Sequence, residues 1–406
     1  MDLLLISRCP PFPLYRGDRL IPYHLARELS KRRYHIDLFA YYQEPADIAE
    51  VPRYERFFRS VKLIREPSRT PLNYWQRSRK PDRRFPRCAE DAWSPEMWNA
   101  IQHNLESHVY DAVHLFGGIH VYEYWELIKR FPNLIAPYES YSLWLERALA
   151  EETGRWAKRV KRFQYAMAQK YESWMFDNYS RVVVLTDQDS RALKTLNPHT
   201  MTAIIPNGVD TDFFTPTGFE PEEPTLLFTG NYDYPPNLDA ALRLARDIFP
   251  QIKKYVPKAR LYIVGGSPSP ELQSYASDSI EITGRVPDLR PYFEQSLIFV
   301  SPLRYGAGIK NKILEAMAME KPVVATPLSC DGIPVLQGHH AMLGISDDDL
   351  VKSVFRLLKD PNLRQTLSKN GRQLVEQQFT WQRVADLYED LYMQVIKEHR
   401  EQHSQY

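Results

Sequence analysis

Short apolar runs that stop at a glycine, a proline or a small polar residue, each followed by helical periodicity, restrict this chain more than any other feature. Residues 3–7, 34–41, 110–115 and 181–186 form one series, and residues 225–230, 261–266, 298–302 and 322–326 form a second. Runs this short and this continuously apolar read as strands buried on both faces, as in a parallel sheet covered by helices. A chain of 406 residues is long for one core and natural for two. The expectation is an α/β protein with two doubly wound domains. Residues 1–200 would form the first and residues 201–381 the second. Asn207-Gly208, in the stretch Pro206-Asn-Gly-Val-Asp210, supplies a sharp turn between them.

Composition narrows the class. The apolar fraction is 43%, the charged fraction 25% and the net charge +1, so nothing global points to nucleic acid. Cys9, Cys88 and Cys330 are far apart, without metal-ligand or CxxC spacing, and read as reduced thiols of a cytoplasmic protein. The first residues do not resemble a signal peptide, and no apolar run of about 18 residues could cross a membrane.

The most informative stretch is Tyr305-Gly-Ala-Gly-Ile-Lys-Asn-Lys-Ile-Leu-Glu315, with the helix and strand that follow it. Gly306 and Gly308 let backbone approach a ligand closely. The next helix aims its free N–H groups and positive dipole end at an anion. Lys310 and Lys312 add mobile positive charge there, and Glu315, a turn further on, can accept hydrogen bonds from hydroxyls. Phosphate and sugar hydroxyls together suggest a nucleotide or a nucleotide sugar. The plainer reading is an amphipathic helix with Ile313, Leu314 and Met317 as core and the lysines solvated.

This loop–helix–strand resembles the donor-binding segment of the family-4 retaining glycosyltransferases of GT-B fold (glycosyl transferases group 1). In that family a Glu-x7-Glu motif leads into a Leu-Glu-Ala-Met-Ala helix and a Pro-Val-Val-Ala-Thr strand. The second glutamate matches Glu315, and the first falls at Ala307, as in the subset whose loop reads Gly-x-Gly-Ile-x-Asn-Lys. The resemblance implies two Rossmann-like domains facing a cleft, with a C-terminal helix, residues 382–406, crossing back to join the first. It implies a hexosyltransferase-type enzyme taking a nucleotide-diphosphate sugar of UDP or GDP type, without metal or other cofactor. Lys310 and Glu315 would act in catalysis. Lys310 and the amides of Gly308 and Ile309 would meet the diphosphate, and Glu315 the ribose. Gly17, Gly230, Gly265, Arg285, Val286, Gly306 and Lys312 would complete the donor site. Relatives keep an Arg and a Lys after the strand ending at Gly230, and this chain has neither.

The first half is expected to hold the acceptor, a glycan or a lipid-linked glycan. Residues 8–19 form a proline-rich loop that lacks GxGxxG, arguing against a dinucleotide, and a helix is expected from about Leu20. Arg16 and Arg19 are candidates for acceptor or phosphate contact, with plain solvated arginines as the alternative. His120 would touch a sugar. Glu139 would sit on an acceptor rim, unless Ser140 or Ser142 simply caps a helix.

Residues 53–87 carry twelve basic and three acidic residues among Phe57, Phe58, Tyr74, Trp75 and Phe85. A second cluster, Arg155-Trp-Ala-Lys-Arg-Val-Lys-Arg162, has helical spacing. Both are compatible with peripheral contact at the inner face of the cell membrane, or with a solvated basic face over packed aromatics. Asp187-Gln-Asp189 and Asp210-Thr-Asp212 have the spacing of a metal-binding Asp-x-Asp but read as turn and helix-start residues. A sugar-nucleotide epimerase and a catalytically degenerate scaffold on the same fold are the remaining alternatives, Ala307 motivating the second.

Overall fold

The computed structural model describes residues 1–15, 17–68, 89 and 93–403. Arg16, the segment 69–88 with Tyr74, Trp75, Phe85 and Cys88, and residues 90–92 and 404–406 lie outside the described residues. The chain divides into two compact units, residues 1–206 with 384–406, and residues 207–383.

The first unit is built on seven strands: β1 (Asp2–Ser7), β2 (His35–Tyr42), β3 (Ser60–Arg65), β4 (Ala112–Phe116), β5 (Asn133–Tyr138), β6 (Arg181–Val184) and β7 (Thr202–Ile204). Their order is β3-β2-β1-β4-β5-β6-β7, with every pairing parallel. β1, β4 and β6 are buried along their whole or nearly whole length, as runs covered on both faces must be. One face packs on a core that includes Leu4, Ile6, Phe39, Trp98, Val113, Tyr124 and Phe176. β3 lies within the basic stretch at the sheet edge and alternates in burial.

The first helix, Gly17–Ser30, starts earlier than expected and contains Pro22. Pro22 has no N–H to offer the Asp18 carbonyl four residues back. The Tyr138 hydroxyl donates to that carbonyl instead, at 2.9 Å, so a tertiary contact replaces the lost helical bond.

The second unit holds β8 (Thr225–Thr229), β9 (Arg260–Val264), β10 (Ile280–Ile282), β11 (Ile298–Ser301), β12 (Val323–Ala325) and β13 (Met342–Leu343). Their order is β10-β9-β8-β11-β12-β13, again all parallel. β10 and the two-residue β13 add strands beyond the four apolar runs of the second half. Both are too short to show a periodicity of their own.

The last helix, Trp381–His403, belongs to the first unit from Val384 onward. Within that unit Arg32 pairs with Asp386 at 2.7 Å and Glu389 at 2.8 Å, and Arg181 pairs with Glu398 at 2.6 Å. Tyr392 and the buried His114 of β4 share a hydrogen bond of 2.7 Å. Burial pushes the His114 imidazole down to about 3, so this contact is made by the neutral ring.

Candidate functional site

In open parallel sheets a ligand crevice forms beyond the strands' C-terminal ends, where the strand order reverses. In the second unit that point lies between β8 and β11, which are paired neighbours. Gly230 follows β8 and the loop 302–310 follows β11, so two of the expected glycine-bearing segments leave the sheet side by side.

Local sequence explains why they can converge. Gly265 has φ +146°, and a Cβ there would stand 1.7 Å from the Gly230 carbonyl oxygen. Only glycine fits such an approach. Gly306 and Gly308 have φ +128° and +67°, which turns the loop between β11 and the helix Asn311–Ala318. A Cβ on Gly306 would meet the Tyr234 hydroxyl at 3.6 Å and Lys310 Cε at 3.7 Å. The segment after β8 is thus brought against the lysine loop. Arg285 is exposed with its guanidinium beside Gly266, and Val286 is half-buried.

The lysines are held rather than mobile, which corrects the sequence expectation. Lys310 is the helix N-cap and is buried. Its ammonium donates to the Ala307 carbonyl at 2.7 Å and to that of Gly308. The turned loop presents these carbonyls inward, and they replace the water the ammonium lost. Lys312 donates to Asn237 Oδ1 and lies 4.6 Å from the centre of the Phe228 ring. Asn237 was not anticipated; it sits in the first turn of the helix Pro235–Arg243 that follows β8. The Asn207 amide donates to Asn311 Oδ1 at 2.8 Å, tying the start of this unit to the helix N-terminus.

Burial, aided by repulsion from Lys310, lowers the Lys312 ammonium to about 7, against the pull of Glu315. Burial raises the Glu315 carboxyl to about 7, with Lys312 opposing. One helix therefore carries a cation and a carboxyl that both titrate near neutrality, behind a backbone-lined N-terminus. Such an arrangement can hold phosphate at the helix end and hydroxyls at the carboxylate. Ile309 and Ala307 are buried in the same loop.

The corresponding reversal in the first sheet lies between β1 and β4. The Arg8 amide donates to the Phe116 carbonyl at 2.9 Å there, joining the two strand ends. His120 closes a turn of 3-10 helix after β4, with Nδ1 3.6 Å from Glu66 Oε1. Gln43 donates to the other Glu66 oxygen at 2.6 Å. Arg8, Gln43 and Glu66 line a small polar cavity with His120. The sequence reading passed over all three, although each directly follows a strand and strand ends are where such residues gather.

Other first-half candidates fall elsewhere. Arg19 is buried and paired with Asp47 at 3.0 Å, and it donates to the Phe12 carbonyl. Its charge is thus matched internally rather than offered to an acceptor. Gly17 opens its helix and is exposed, while Arg16 is not among the described residues. Glu139 is half-buried just before Ser140, which caps the helix Tyr141–Glu151 by accepting from Leu143 N–H at 3.3 Å. Glu172 accepts from the Tyr141 and Ser142 amides at 2.6 and 3.1 Å, so the helix start is fully engaged.

Of the paired aspartates, Asp189 is buried and receives the Ser140 amide at 2.9 Å, and Asp210 receives that of Phe213 at 3.1 Å. Among the described residues no three His, Cys, Asp or Glu side chains converge as metal ligands would. Cys9 and Cys330 are buried, and the Cys9 thiol donates to the Asp18 carbonyl at 3.9 Å.

Comparison with known proteins gives a family match inside the second unit. Residues 223–360 match the family model described as Glycosyl transferases group 1. The capsular polysaccharide biosynthesis glycosyltransferase CapM of Staphylococcus aureus is 27% identical over 122 residues, 30% of this chain and 32% of that protein. The lipopolysaccharide core biosynthesis mannosyltransferase LpcC of Rhizobium leguminosarum bv. viciae is 23% identical over 255 residues, 57% of this chain and 69% of that protein. The chain spans between 32% and 43% of the length of the first curated relatives it matches. Sucrose-phosphate synthase of Thermosynechococcus elongatus superposes with a TM-score of 0.75 at 21% identity, over 98% of this chain and 99% of that one. HepE of Anabaena, solved with UDP and glucose, superposes with a TM-score of 0.67 at 13% identity, over 97% and 99%. Residues 223–360 therefore carry the glycosyl transferases group 1 pattern, within a chain whose two parallel-sheet domains have the fold of GT-B glycosyltransferases.

Proposed function

We propose that this protein is a retaining glycosyltransferase of family 4 that moves a sugar from a nucleotide-diphosphate sugar to a hydroxyl of a glycan or lipid-linked glycan. One observation carries the reading: Gly230, Gly265, Gly306, Lys310, Lys312 and Glu315 gather at the C-terminal edge of the second sheet, around one helix N-terminus. HepE, which shares the fold, was solved with UDP and glucose. The donor diphosphate would lie at the amides of Gly308 and Ile309 and draw Lys310 away from its own loop carbonyls. The Glu315 carboxylate would accept from the ribose hydroxyls.

In the transfer, the bond from the anomeric carbon to the diphosphate breaks and a bond to the acceptor oxygen forms on the same face. The acceptor proton goes to the departing phosphate oxygen. Preorganised donors stabilise charge as it develops on that oxygen. The diphosphate's charge is met by amides, helix dipole and lysines, so we expect EDTA to leave transfer unchanged. The acceptor would be met by the first unit, through His120 and the neighbouring Arg8, Gln43 and Glu66. We place the enzyme in the cytoplasm, peripheral at the inner face of the membrane.

The test is a thermal-shift panel of UDP, GDP, ADP and their sugars, with and without EDTA. A ligand at a hundred times its dissociation constant stabilises by about 2.7 kcal/mol. We expect one nucleotide family to shift the melting temperature regardless of EDTA, and K310A to lower transfer by about a hundredfold or more. A K310A enzyme with wild-type turnover would remove this assignment. Silence across the whole panel would favour the degenerate scaffold.

A further inference from the structure

A second cavity in the donor unit, of about 310 Å3, lies away from the site just described. It is bounded by the loop 216–221, the turns 294–297 and 319–322, and the start of the helix Pro361–Gln378. Leu297 and Pro322 immediately precede β11 and β12, so the cavity opens at the strands' N-terminal ends, whereas the donor loop follows β11. Its size falls at the lower end of small-molecule sites, which span roughly 300–1,000 Å3.

Lys321 is the side chain that needs explaining. It is 8% exposed, and its ammonium makes one long contact, 3.5 Å to the Glu294 carbonyl. No carboxylate of the described residues lies within 4.0 Å of it. Burial pushes the ammonium down to about 8 even though Glu294, Glu220 and Glu320 pull the other way. A buried ammonium with unused protons facing a cavity is costly unless something accepts from them.

The rest of the lining indicates what that would be. Lys321, Arg364 and Lys369 are balanced by Glu220, Glu294 and Glu320, so the walls are neutral overall and rich in both donors and acceptors. Arg364 is fixed by Glu220 at 2.6 Å and by the Leu357 carbonyl at 2.7 Å. A free anion would face three carboxylates, and an apolar ligand would strand polar groups. A ring of hydroxyls, each both donor and acceptor, suits this wall. Phe219, on the bounding loop, is 62% exposed and offers a flat apolar face to the C–H side of such a ring.

We infer that the donor unit carries a second, non-catalytic carbohydrate-binding groove, formed by Lys321, Arg364, Glu294, Gln365 and Phe219, that takes a neutral pyranoside segment of a glycan. Its use as a hold for the glycan being extended rests on the transferase reading; the binding itself does not. A tethered chain would raise the effective concentration of its own end at the enzyme.

The experiment is saturation-transfer NMR on the full chain with maltotetraose, cellotetraose and chitotetraose, in wild type, K321M, F219A and K310A. We expect signal on at least one tetrasaccharide, retained in K310A and weakened about tenfold in K321M and F219A, the scale of one lost charged hydrogen bond. Thermal melting checks that the variants are folded; should K321M not fold, F219A and E294Q decide. No saccharide signal in wild type, or undiminished signal in the folded variants, overturns the inference. So does Lys321-dependent binding of inorganic phosphate that displaces the saccharide, which would make the groove an anion site. A silent nucleotide panel together with Lys321-dependent saccharide binding would remove the transferase reading and leave the groove.

Discussion

At the scale of single residues, Gly265 and the Lys312–Glu315 pair carry the sharpest consequences. An alanine at Gly265 would need a Cβ 1.7 Å from the Gly230 oxygen at φ +146°, combining a backbone clash with a strained dihedral. We expect G265A to be destabilised by about 3 kcal/mol or more, the sum of typical overpacking and strain costs. Urea unfolding of the variant checks this, and a wild-type midpoint would refute it. Lys312 and Glu315 predict a pH signature. The folded value of Glu315 is raised from 4.5 to about 7, so its contribution to stability is complete below 4.5 and is lost as pH climbs to 7. The folded value of Lys312 is lowered from 10.5 to about 7, so its burial penalty is largest below 7 and fades towards 10.5. A bound diphosphate adds negative charge and returns Lys312 towards its ordinary value. Binding at pH 8 should therefore take up a proton, seen as a calorimetric enthalpy that changes with the buffer's ionisation enthalpy. The effect should vanish in K312M, and buffer-independent enthalpies in wild type would argue against a diphosphate beside Lys312.

At the scale of elements, the helix Arg155–Glu172 has the clearest unspent surface. Trp156, Val160 and Phe163 follow each other at helical spacing and are 78%, 51% and 57% exposed. Six basic residues and a single acidic one, Glu172, share the helix. Glu172 is buried at its end, where amides of the neighbouring helix hold it. An apolar stripe flanked by cations suits the headgroup region of an anionic bilayer. W156E/F163E should abolish co-sedimentation with phosphatidylglycerol vesicles while moving the melting temperature little, since exposed substitutions usually change stability by within about 0.5 kcal/mol. Unchanged sedimentation would leave the helix as solvated surface. Among the described residues no helix is long and apolar enough to cross a membrane.

Most elements were legible because local rules and tertiary need agreed. The fully buried runs became β1, β4, β6, β8, β9 and β11, and Thr186 and Ser140 became N-caps as their residue types suggest. The helix Gly17–Ser30 starts three residues before the expected Leu20, because Pro10, Pro11 and Pro13 argue against helix just ahead of it. The Asp18 carbonyl that Pro22 leaves open is met by the Tyr138 hydroxyl, more than a hundred residues away, and by the Cys9 thiol.

For the whole molecule, the last helix matters most, because it starts within residues assigned to one unit and ends in the other. Its fit to the first unit rests on Arg32, Arg181 and the His114–Tyr392 contact. Tyr392 meets His114 at Nδ1, and among the described residues nothing meets Nε2, so the ring depends on Tyr392 for its hydrogen bond there. We expect Y392F to cost about 1–3 kcal/mol, the price of an unsatisfied buried polar group. The loss should appear as faster hydrogen exchange in β4 and leave β8 and β11 unchanged; equal protection of β4 in both proteins would contradict it.

What the sequence determined by itself was the alternation of buried strands and helices, and the glycines and lysines of the loop before Asn311–Ala318. These are fixed by period, by φ and by the chemistry of a helix N-terminus, all local properties of the chain. Asn207-Gly208, expected as a sharp turn, has neither a turn nor a positive φ, and Gly208 instead makes room for the Trp381 ring. Tertiary structure alone decided that Lys310 turns onto its own loop, that Arg19 is spent on Asp47, that Asn237 meets Lys312, and that Glu66 stands beside His120. Each of these depends on which strand ends become neighbours, and in a parallel sheet neighbouring ends come from segments tens of residues apart. No local period records that order.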